Sequence, residues 1–348
     1  MAELVDWSVA ARVAAVAAGD SPDKPAVAPL RRAAEESAIA VERYTGLRPV
    51  RPIPAAEWVD RREWAALNLE SMRTAIGSLE QRLGGADLPG ALRAPLGVVA
   101  GAQIGALVGY ASRRVLGQYE FPVLGPEREP RLLFVAPNVA DAQRDLEGSP
   151  LTVLRWIALH EVTHAVHFSA APWLREHLRG LATELIEGSR IGVSPGDLSR
   201  AARAIATTDP RRLVSELWSS DPLTLLSPPE SRPLIEATQA AMASIEGYAE
   251  HVMDAAAPEL GEDVASLRFG MDRRREDRPP LARLLAWLLG MELKLRQYRD
   301  GKRFCDGVVE LEGIAALNEA WAGPGSLPSL AELSDPGGWL RRTTPATV

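Results

Sequence analysis

His160, Glu161 and His164 stand in the order His-Glu-x-x-His within an apolar run from Leu151 to Ala170. The run is typical of a buried helix, in which residues four apart project from one face. His160 and His164 can therefore direct their ring nitrogens at one metal ion. Zinc binds neutral imidazole, and Glu161 can take a proton from a water at the fourth coordination position. The pattern predicts two zinc ligands and a general base; two hydrogen-bonded core histidines beside an exposed glutamate are the alternative.

A third protein ligand must come from elsewhere in the chain. A metzincin would place a third histidine six residues after His164, where this chain has Ala170, so that class is excluded. A thermolysin-like spacing would place a glutamate twenty residues after His164, and Glu184 stands there. Glu246 is the other candidate, because Gly247 beside it leaves room for a metal and a neighbouring helix. Position alone does not decide between the two glutamates.

Four further residues are candidates for supporting roles. His167 follows His164 by three residues on the same helix face, where it can extend the metal site or hydrogen-bond a ligand. Hydrolysis of a carbonyl also needs a donor for the oxyanion, and Tyr248, His251 or Tyr298 could supply it. Ordinary packing is the alternative role for each of the four.

The composition limits the classes of protein to which the chain can belong. Its 348 residues are 46% hydrophobic and carry 39 basic against 46 acidic side chains, a formal charge of −7. This balance is typical of a soluble globular protein and disfavours a general nucleic-acid surface. The single cysteine, Cys305, cannot form an internal disulfide, and Met1 to Trp7 lack the basic stretch of a signal peptide. We expect a cytoplasmic protein without nucleic-acid or membrane partners; its oligomeric state is not predicted.

The stretch from Pro95 to Ser112 has no charged side chain, and glycine recurs in it every fourth residue from Gly97 to Gly109. This spacing lets helices approach closely, in membranes as well as in soluble cores. The stretch falls short of the ~20 apolar residues of a membrane span and contains Gln103. We therefore expect a buried helix of a soluble protein that packs against a neighbour through its glycines.

Periodicity predicts a predominantly α protein with a small β-sheet, of the α+β class. Two strands with a turn between them are predicted at Tyr119 to Leu124 and Arg131 to Ala136. Ser149 as N-cap and Pro150 at the first position predict where the His-Glu-x-x-His helix begins. The other predicted helices are Asp6 to Ala18, Leu30 to Tyr44, Glu57 to Leu83, Trp173 to Glu187, Pro195 to Ala206, Leu213 to Trp218, Pro233 to Ala257, Pro279 to Gln297 and Gly307 to Trp321.

Several segments together carry a resemblance to a known family. They are Ala158 to Val166, Pro172 to Leu174, Glu246 to Asp254, Lys294 to Tyr298 and Leu327 to Glu332, with Asp6 and Trp7 near the start. In these segments the chain resembles the zincin-like metallopeptidases of actinobacteria and related bacteria, often labelled as associated with biosynthesis of a deazaflavin coenzyme. The resemblance covers nearly the whole chain. It implies a helical N-terminal lobe at 1–118 packed on a zincin-like catalytic region at 119–348, or one continuous domain.

The resemblance implies a gluzincin-type site, with His160 and His164 as zinc ligands and Glu161 as the base. Because the Glu-Gly pair is similar to the ligand-bearing helix of zinc aminopeptidases, Glu246 is preferred to Glu184 as third ligand. The implied activity is zinc-dependent hydrolysis of a peptide or small amide. The alternative is a catalytically silent scaffold that uses zinc structurally and acts by binding a partner.

Two details qualify the expected site. Many relatives carry glutamine where this chain has His167, which disfavours a required metal role for that histidine. The strand Arg131 to Ala136, just ahead of the site helix, is expected to be the edge along which a peptide adds its backbone.

No glycine-rich phosphate loop supports the binding of a nucleotide-like coenzyme.

Overall fold

The structure is a computed structural model that describes residues 5–20, 22–82, 90–124, 126–146, 148–188, 231–260, 267–268, 270 and 291–343. Two of the predicted helices, Pro195 to Ala206 and Leu213 to Trp218, lie outside these residues, as does most of Pro279 to Gln297.

The described part of the chain is mostly helical with a small sheet, so the predicted α+β class is confirmed. Its α-helices are α1 Trp7–Ala18, α2 Val27–Thr45, α3 Arg61–Arg82, α4 Gly90–Ser112, α5 Ala136–Asp145, α6 Pro150–Ala170, α7 Trp173–Gly188, α8 Arg232–Ala256, α9 Met291–Asn318 and α10 Pro336–Thr343. The strands are β1 Ala56–Val59, β2 Gly117–Glu120 and β3 Arg131–Val135. Short 3-10 turns lie at Ala257–Leu260, Glu319–Trp321, Pro324–Ser326 and Glu332–Ser334.

The three strands form one sheet in the order β1-β3-β2. β3 pairs with β1 in parallel and with β2 in antiparallel orientation. Two neighbouring strands are thus present as predicted, and β3 matches the predicted Arg131 to Ala136. The other predicted strand, Tyr119 to Leu124, is wrong in its bounds, because β2 spans Gly117–Glu120. However, the expected edge strand is wrong: β3 is the middle strand and is paired on both sides. Among the described residues, β1 and β2 are the two outer strands of the sheet.

Alternate residues of β3 enter different cores, because successive side chains of a strand point to opposite faces. Leu132 and Phe134 belong to the large core around α2, α6, α8 and α9. Leu133 and Val135 belong to a smaller core with residues of α1, α3 and α4. The sheet therefore lies between two groups of helices. Helix α6, which carries His160, Glu161 and His164, packs in the larger core.

Helix α4 packs on α1 through its glycines, as the four-residue spacing predicts. A Cβ at Gly101 or Gly105 would overlap the carbonyl oxygens of Asp6 and Ala10 respectively, so only glycine allows this approach. The residues Ala94–Ser112 are long and apolar enough to cross a membrane by length and composition, and 28% of that stretch is buried. Burial is thus less complete than expected for a core helix, and Leu96 and Val99 are exposed.

Three helices or strands were not predicted from the sequence, namely β1, α5 and α10. β1 occupies the beginning of the segment Glu57 to Leu83, which was expected to be helical throughout. Its four residues are too few to show a period, and their pairing partner β3 lies far along the chain. α5 has proline among its first helical residues, a helix-start signal from which it could have been predicted.

Candidate metal centre

Helix α6 begins where the sequence predicts. The Ser149 hydroxyl accepts a hydrogen bond from the Thr152 amide at 3.1 Å, and Pro150 opens the helix. Leu159, Val162 and most of their neighbours on α6 are buried in the large core. These contacts fix the helix and thereby fix the direction in which its polar side chains point.

His160 and His164 bring their Nε2 atoms to one carboxylate oxygen. Glu246 Oε2 lies 3.7 Å from His160 Nε2 and 3.5 Å from His164 Nε2. Ligand atoms at 2.0–2.1 Å from a tetrahedral zinc ion would be about 3.3–3.4 Å apart. The three ligand atoms all lie within 4.8 Å of one another. The donor set of two imidazoles and one carboxylate therefore fits a zinc ion in both chemistry and spacing.

Of the two candidate third ligands, the structure brings Glu246 to the histidines and leaves Glu184 exposed on α7. Glu246 is positioned by the crossing of α8 and α9. There Gly247 and Gly301 face each other so closely that a Cβ on either would overlap the opposite helix backbone. The space predicted beside Gly247 is thus filled by a neighbouring helix.

Glu161 lies beneath the edge strand β2. Its Oε2 accepts a hydrogen bond from the backbone amide of Tyr119 at 3.0 Å. A Cβ at Gly117 would lie 2.5 Å from Glu161 Cγ and 3.0 Å from its Cδ, so the glycine makes room for this carboxylate. Burial raises the pKa of Glu161 above its ordinary value, with His160 and His164 opposing the shift. A carboxylate with a raised pKa, beside two histidines that could bind a metal, suits a general base.

Glu250 is a buried acid near the candidate site that was not predicted from the sequence. It stands one helical turn after Glu246, and Arg268 donates to its Oε2 at 2.7 Å. Burial opposes protonation of His164, but Glu246, Glu161 and Glu250 together raise its pKa. Carboxylates next to a metal-binding histidine commonly orient the ring. The spacing of four residues from Glu246 was the signal that could have identified Glu250.

His167 lies apart from the cluster of ligand atoms. It is fully buried, and neither ring nitrogen has a hydrogen-bond partner among the described residues. Its ring packs 3.9 Å from the centroid of Trp321 and 4.9 Å from that of Tyr248. Burial lowers the pKa of His167 well below its ordinary value. His167 is therefore a neutral imidazole in an aromatic environment, and the structure does not bring it to the metal-ligand cluster.

The expected oxyanion donors are engaged elsewhere. The Tyr248 hydroxyl donates to Asn318 Oδ1 at 2.8 Å. His251 is bonded through Nε2 to Tyr44 and through Nδ1 to Asp306, both at 2.7 Å. Tyr298 is part of α9, but its side chain lies outside the described part. Neither Tyr248 nor His251 therefore presents a free donor to a substrate.

Comparisons with known proteins give a consistent result. A family model described as "Zincin-like metallopeptidase" matches residues 5–340. A crystal structure from Chloroflexus aurantiacus, described as "a putative hydrolase with a novel fold", is similar at 30% identity and a TM-score of 0.68. The match covers 97% of this chain and 98% of that one. None of the curated proteins searched matches the sequence. The actinobacterial source and the deazaflavin association stay predictions.

Proposed function

The chain belongs to the zincin-like metallopeptidase family, and on that premise we propose that it is a zinc-dependent hydrolase of peptide or amide bonds. His160, His164 and Glu246 would hold the metal, and Glu161 would be the general base. The observation that carries the proposal is the approach of Glu246 Oε2 to both histidine Nε2 atoms, at 3.7 and 3.5 Å. The description of the Chloroflexus structure as a hydrolase supports the same class of reaction.

Zinc, when bound, lowers the pKa of a coordinated water and polarises a carbonyl group. The chain supplies the proton transfer. Glu161 accepts the proton of the attacking water at one carboxylate oxygen and passes it to the nitrogen of the departing amine. The Tyr119 amide holds Oε2, so Oε1 is the oxygen left for the proton. Burial of Glu161, which raises its pKa, strengthens it as a base for this transfer.

The substrate would bind along β2. Among the described residues this is an outer strand of the sheet, and its Tyr119 amide donates a hydrogen bond to Glu161. An extended peptide can add to such an edge through backbone hydrogen bonds. We therefore assign the docking role, first expected for the strand Arg131 to Ala136, to the neighbouring strand β2.

Replacement of the base tests the reaction. We expect Glu161→Gln to lower kcat for hydrolysis of a peptide library at least ~100-fold, because the amide cannot accept a proton. The same variant should bind one zinc per chain, since the three metal ligands are untouched. Mass spectrometry of cleavage products and metal analysis measure the two quantities. Full activity of Glu161→Gln would refute the assigned base, whereas zinc binding without cleavage by the wild type would favour a scaffold.

Paired substitutions test the third ligand. We expect Glu246→Ala to lose most of its bound zinc, because a two-histidine site lacks the usual third protein ligand. Glu184→Ala is the matched control, since Glu184 is exposed on α7 away from the cluster. Metal content after dialysis against a mild chelator measures both. Zinc loss in Glu184→Ala with retention in Glu246→Ala would overturn the assignment.

A further inference from the structure

Arg175 on α7 carries a half-buried positive charge beside the candidate site. It donates one hydrogen bond, from Nη2 to the Tyr119 hydroxyl at 3.3 Å. Its guanidinium also lies 5.1 Å from the centre of the Phe121 ring. A guanidinium has five N–H donors, and most of those of Arg175 therefore remain without a protein acceptor among the described residues.

Arg179 lies one turn further along α7 and is also half-buried. It donates from Nε to the backbone carbonyl of Val123 at 3.2 Å. Residues four apart project from the same helix face, so Arg175 and Arg179 share one face of α7. Arg175 thus contacts Tyr119 of β2 and Phe121 just after it, and Arg179 contacts Val123 two residues further on.

Both arginines differ from the other half-buried arginines in the described ranges, each of which pairs with a carboxylate. The pairs are Arg61 with Asp141, Arg131 with Glu57, Arg155 with Glu36, and Arg268 with Glu250 and Asp254. No carboxylate within the described ranges pairs with Arg175 or Arg179. Glu129 raises the pKa of Tyr119 from a distance but is exposed and makes no ion pair with Arg175. The unused N–H donors of Arg175 and the absence of a paired carboxylate within the described ranges leave both arginines available to an anionic ligand.

Tyr119 connects these arginines to the candidate active site. Its backbone amide bonds the base Glu161, and its hydroxyl accepts from Arg175. The two contacts are separated by the length of one tyrosine side chain. The ring of Tyr119 packs on Phe121 and Phe168, which gives this stretch an apolar floor. A substrate extended along β2 would thus pass from Glu161 to the arginines.

We propose that Arg175 and Arg179 form a subsite that binds a carboxylate group of the substrate. This inference rests on the proposed hydrolase function and adds the substrate class, a peptide or amide with a negative charge near the cleaved bond. Arg175 would bind the carboxylate in the bidentate manner that its planar guanidinium favours. Arg179 would contribute a second positive charge from the same helix face.

The test measures binding, so that it does not depend on turnover. The probes are N-acetylated dipeptides and tripeptides in three forms: a free C-terminal carboxylate, a C-terminal amide, and an amide with an aspartate side chain. Calorimetry measures their Kd on zinc-loaded Glu161→Gln and on the metal-free protein. The free acid or the aspartate form should bind about tenfold or more tightly than the plain amide on both proteins. Which of the two binds better identifies the source of the carboxylate.

Substitutions assign that preference to the arginines. Added to Glu161→Gln, Arg175→Gln should abolish the preference, and Arg179→Gln should weaken it. Arg175→Lys, which keeps the charge without the planar fork, should retain part of it. Arg303→Gln is the control, because Arg303 is an exposed arginine on α9. Melting curves identify any variant that fails to fold. In that case Tyr119→Phe removes the hydroxyl that accepts a hydrogen bond from Arg175 without a change in charge, and it should weaken the preference for the carboxylate.

Three outcomes would overturn the subsite. The first is no preference for any carboxylate form. The second is a preference that Arg175→Gln leaves unchanged. The third is a preference seen only with zinc present, which would assign the carboxylate to the metal. Failure of the hydrolase proposal has a different signature, because a wild type that binds zinc but cleaves nothing can still show the arginine-dependent preference.

Discussion

At the scale of single residues, His167 is a polar side chain in an apolar environment. It is an imidazole with no hydrogen-bond partner among the described residues, enclosed by Trp321, Tyr248 and Phe168. A buried polar group without a partner costs about 1–3 kcal/mol. His167 therefore contributes to the fold through the packing of its ring. Protonation of this ring would lower the stability of the folded protein.

We predict that His167 makes the protein less stable in acid. The folded state holds the imidazole neutral because burial lowers its pKa well below the ordinary value. The unfolded chain takes up a proton below a pKa of about 6.5, so protonation favours unfolding and stability is lost as the pH falls below that value. His167→Gln should reduce this loss by up to about 1.4 kcal/mol per pH unit.

Urea unfolding of the chelated protein between pH 8 and pH 5.5 measures the difference. Metal removal prevents release of a bound ion from dominating the profile. His177→Gln is the control, because His177 is half-buried at the surface of α7 and its pKa is lowered less. Identical pH slopes for His167→Gln and the wild type would show that His167 is protonated or hydrogen-bonded in the folded state.

Some residues of the candidate site could be predicted from the sequence, and others could not. His160, Glu161 and His164 could be identified because a helix fixes their relation within one turn. Position alone left Glu246 and Glu184 open as third ligands, since the approach of α8 to α6 decides which carboxylate reaches the histidines. The preference for Glu246 came only from the family resemblance. The backbone amide of Tyr119 could not be found at all, because any residue type supplies one.

At the scale of elements, structure that depends on neighbouring residues could be predicted from the sequence, whereas structure that depends on pairing with distant residues could not. α6 was predicted to begin after Ser149 because the cap and the proline are adjacent in sequence. β1 was not predicted, because its burial depends on pairing with β3, with Ala56 opposite Leu132. The same dependence explains the wrong edge strand: without β1, β3 had only one predicted neighbour.

The contact between β2 and α6 gives a prediction at this scale. We expect Gly117→Ala to reduce kcat/KM for peptide hydrolysis about tenfold or more with zinc retained. The added Cβ would lie 2.5 Å from Glu161 Cγ, so the base or the strand must shift. Small displacements of a catalytic group have large effects on rate. Steady-state kinetics and metal content measure both parts.

Gly77→Ala on α3 is the matched control, since a Cβ there would meet nothing within 4 Å. It removes the flexibility of a helical glycine and should leave activity unchanged, with stability equal or higher. Loss of zinc together with activity in Gly117→Ala would indicate that the strand supports the fold of the site rather than the position of Glu161.

At the scale of the whole molecule, the two ends of the chain share one core. The larger hydrophobic cluster includes residues as far apart in sequence as Leu30 and Leu340, and six of its buried residues lie on α2. The sheet joins β1 to β3, so its hydrogen bonds cross the division predicted at residue 118. That division stays a prediction, and these contacts favour the alternative of one continuous domain.

We therefore predict that a fragment of residues 119–348 does not fold alone. The cut removes β1 and α2 and divides β2, which exposes the buried side chains of β3 and leaves its β1-facing edge unpaired. Circular dichroism melts should show no cooperative transition, and zinc affinity should fall at least ~100-fold, because metal binding is coupled to the folded arrangement of α6 and α8. Co-expression with residues 1–118 should restore both properties, because the missing strand and helix are returned to the core. A fragment 119–348 that melts cooperatively and binds zinc like the full chain would establish the boundary at 118 as a true domain boundary.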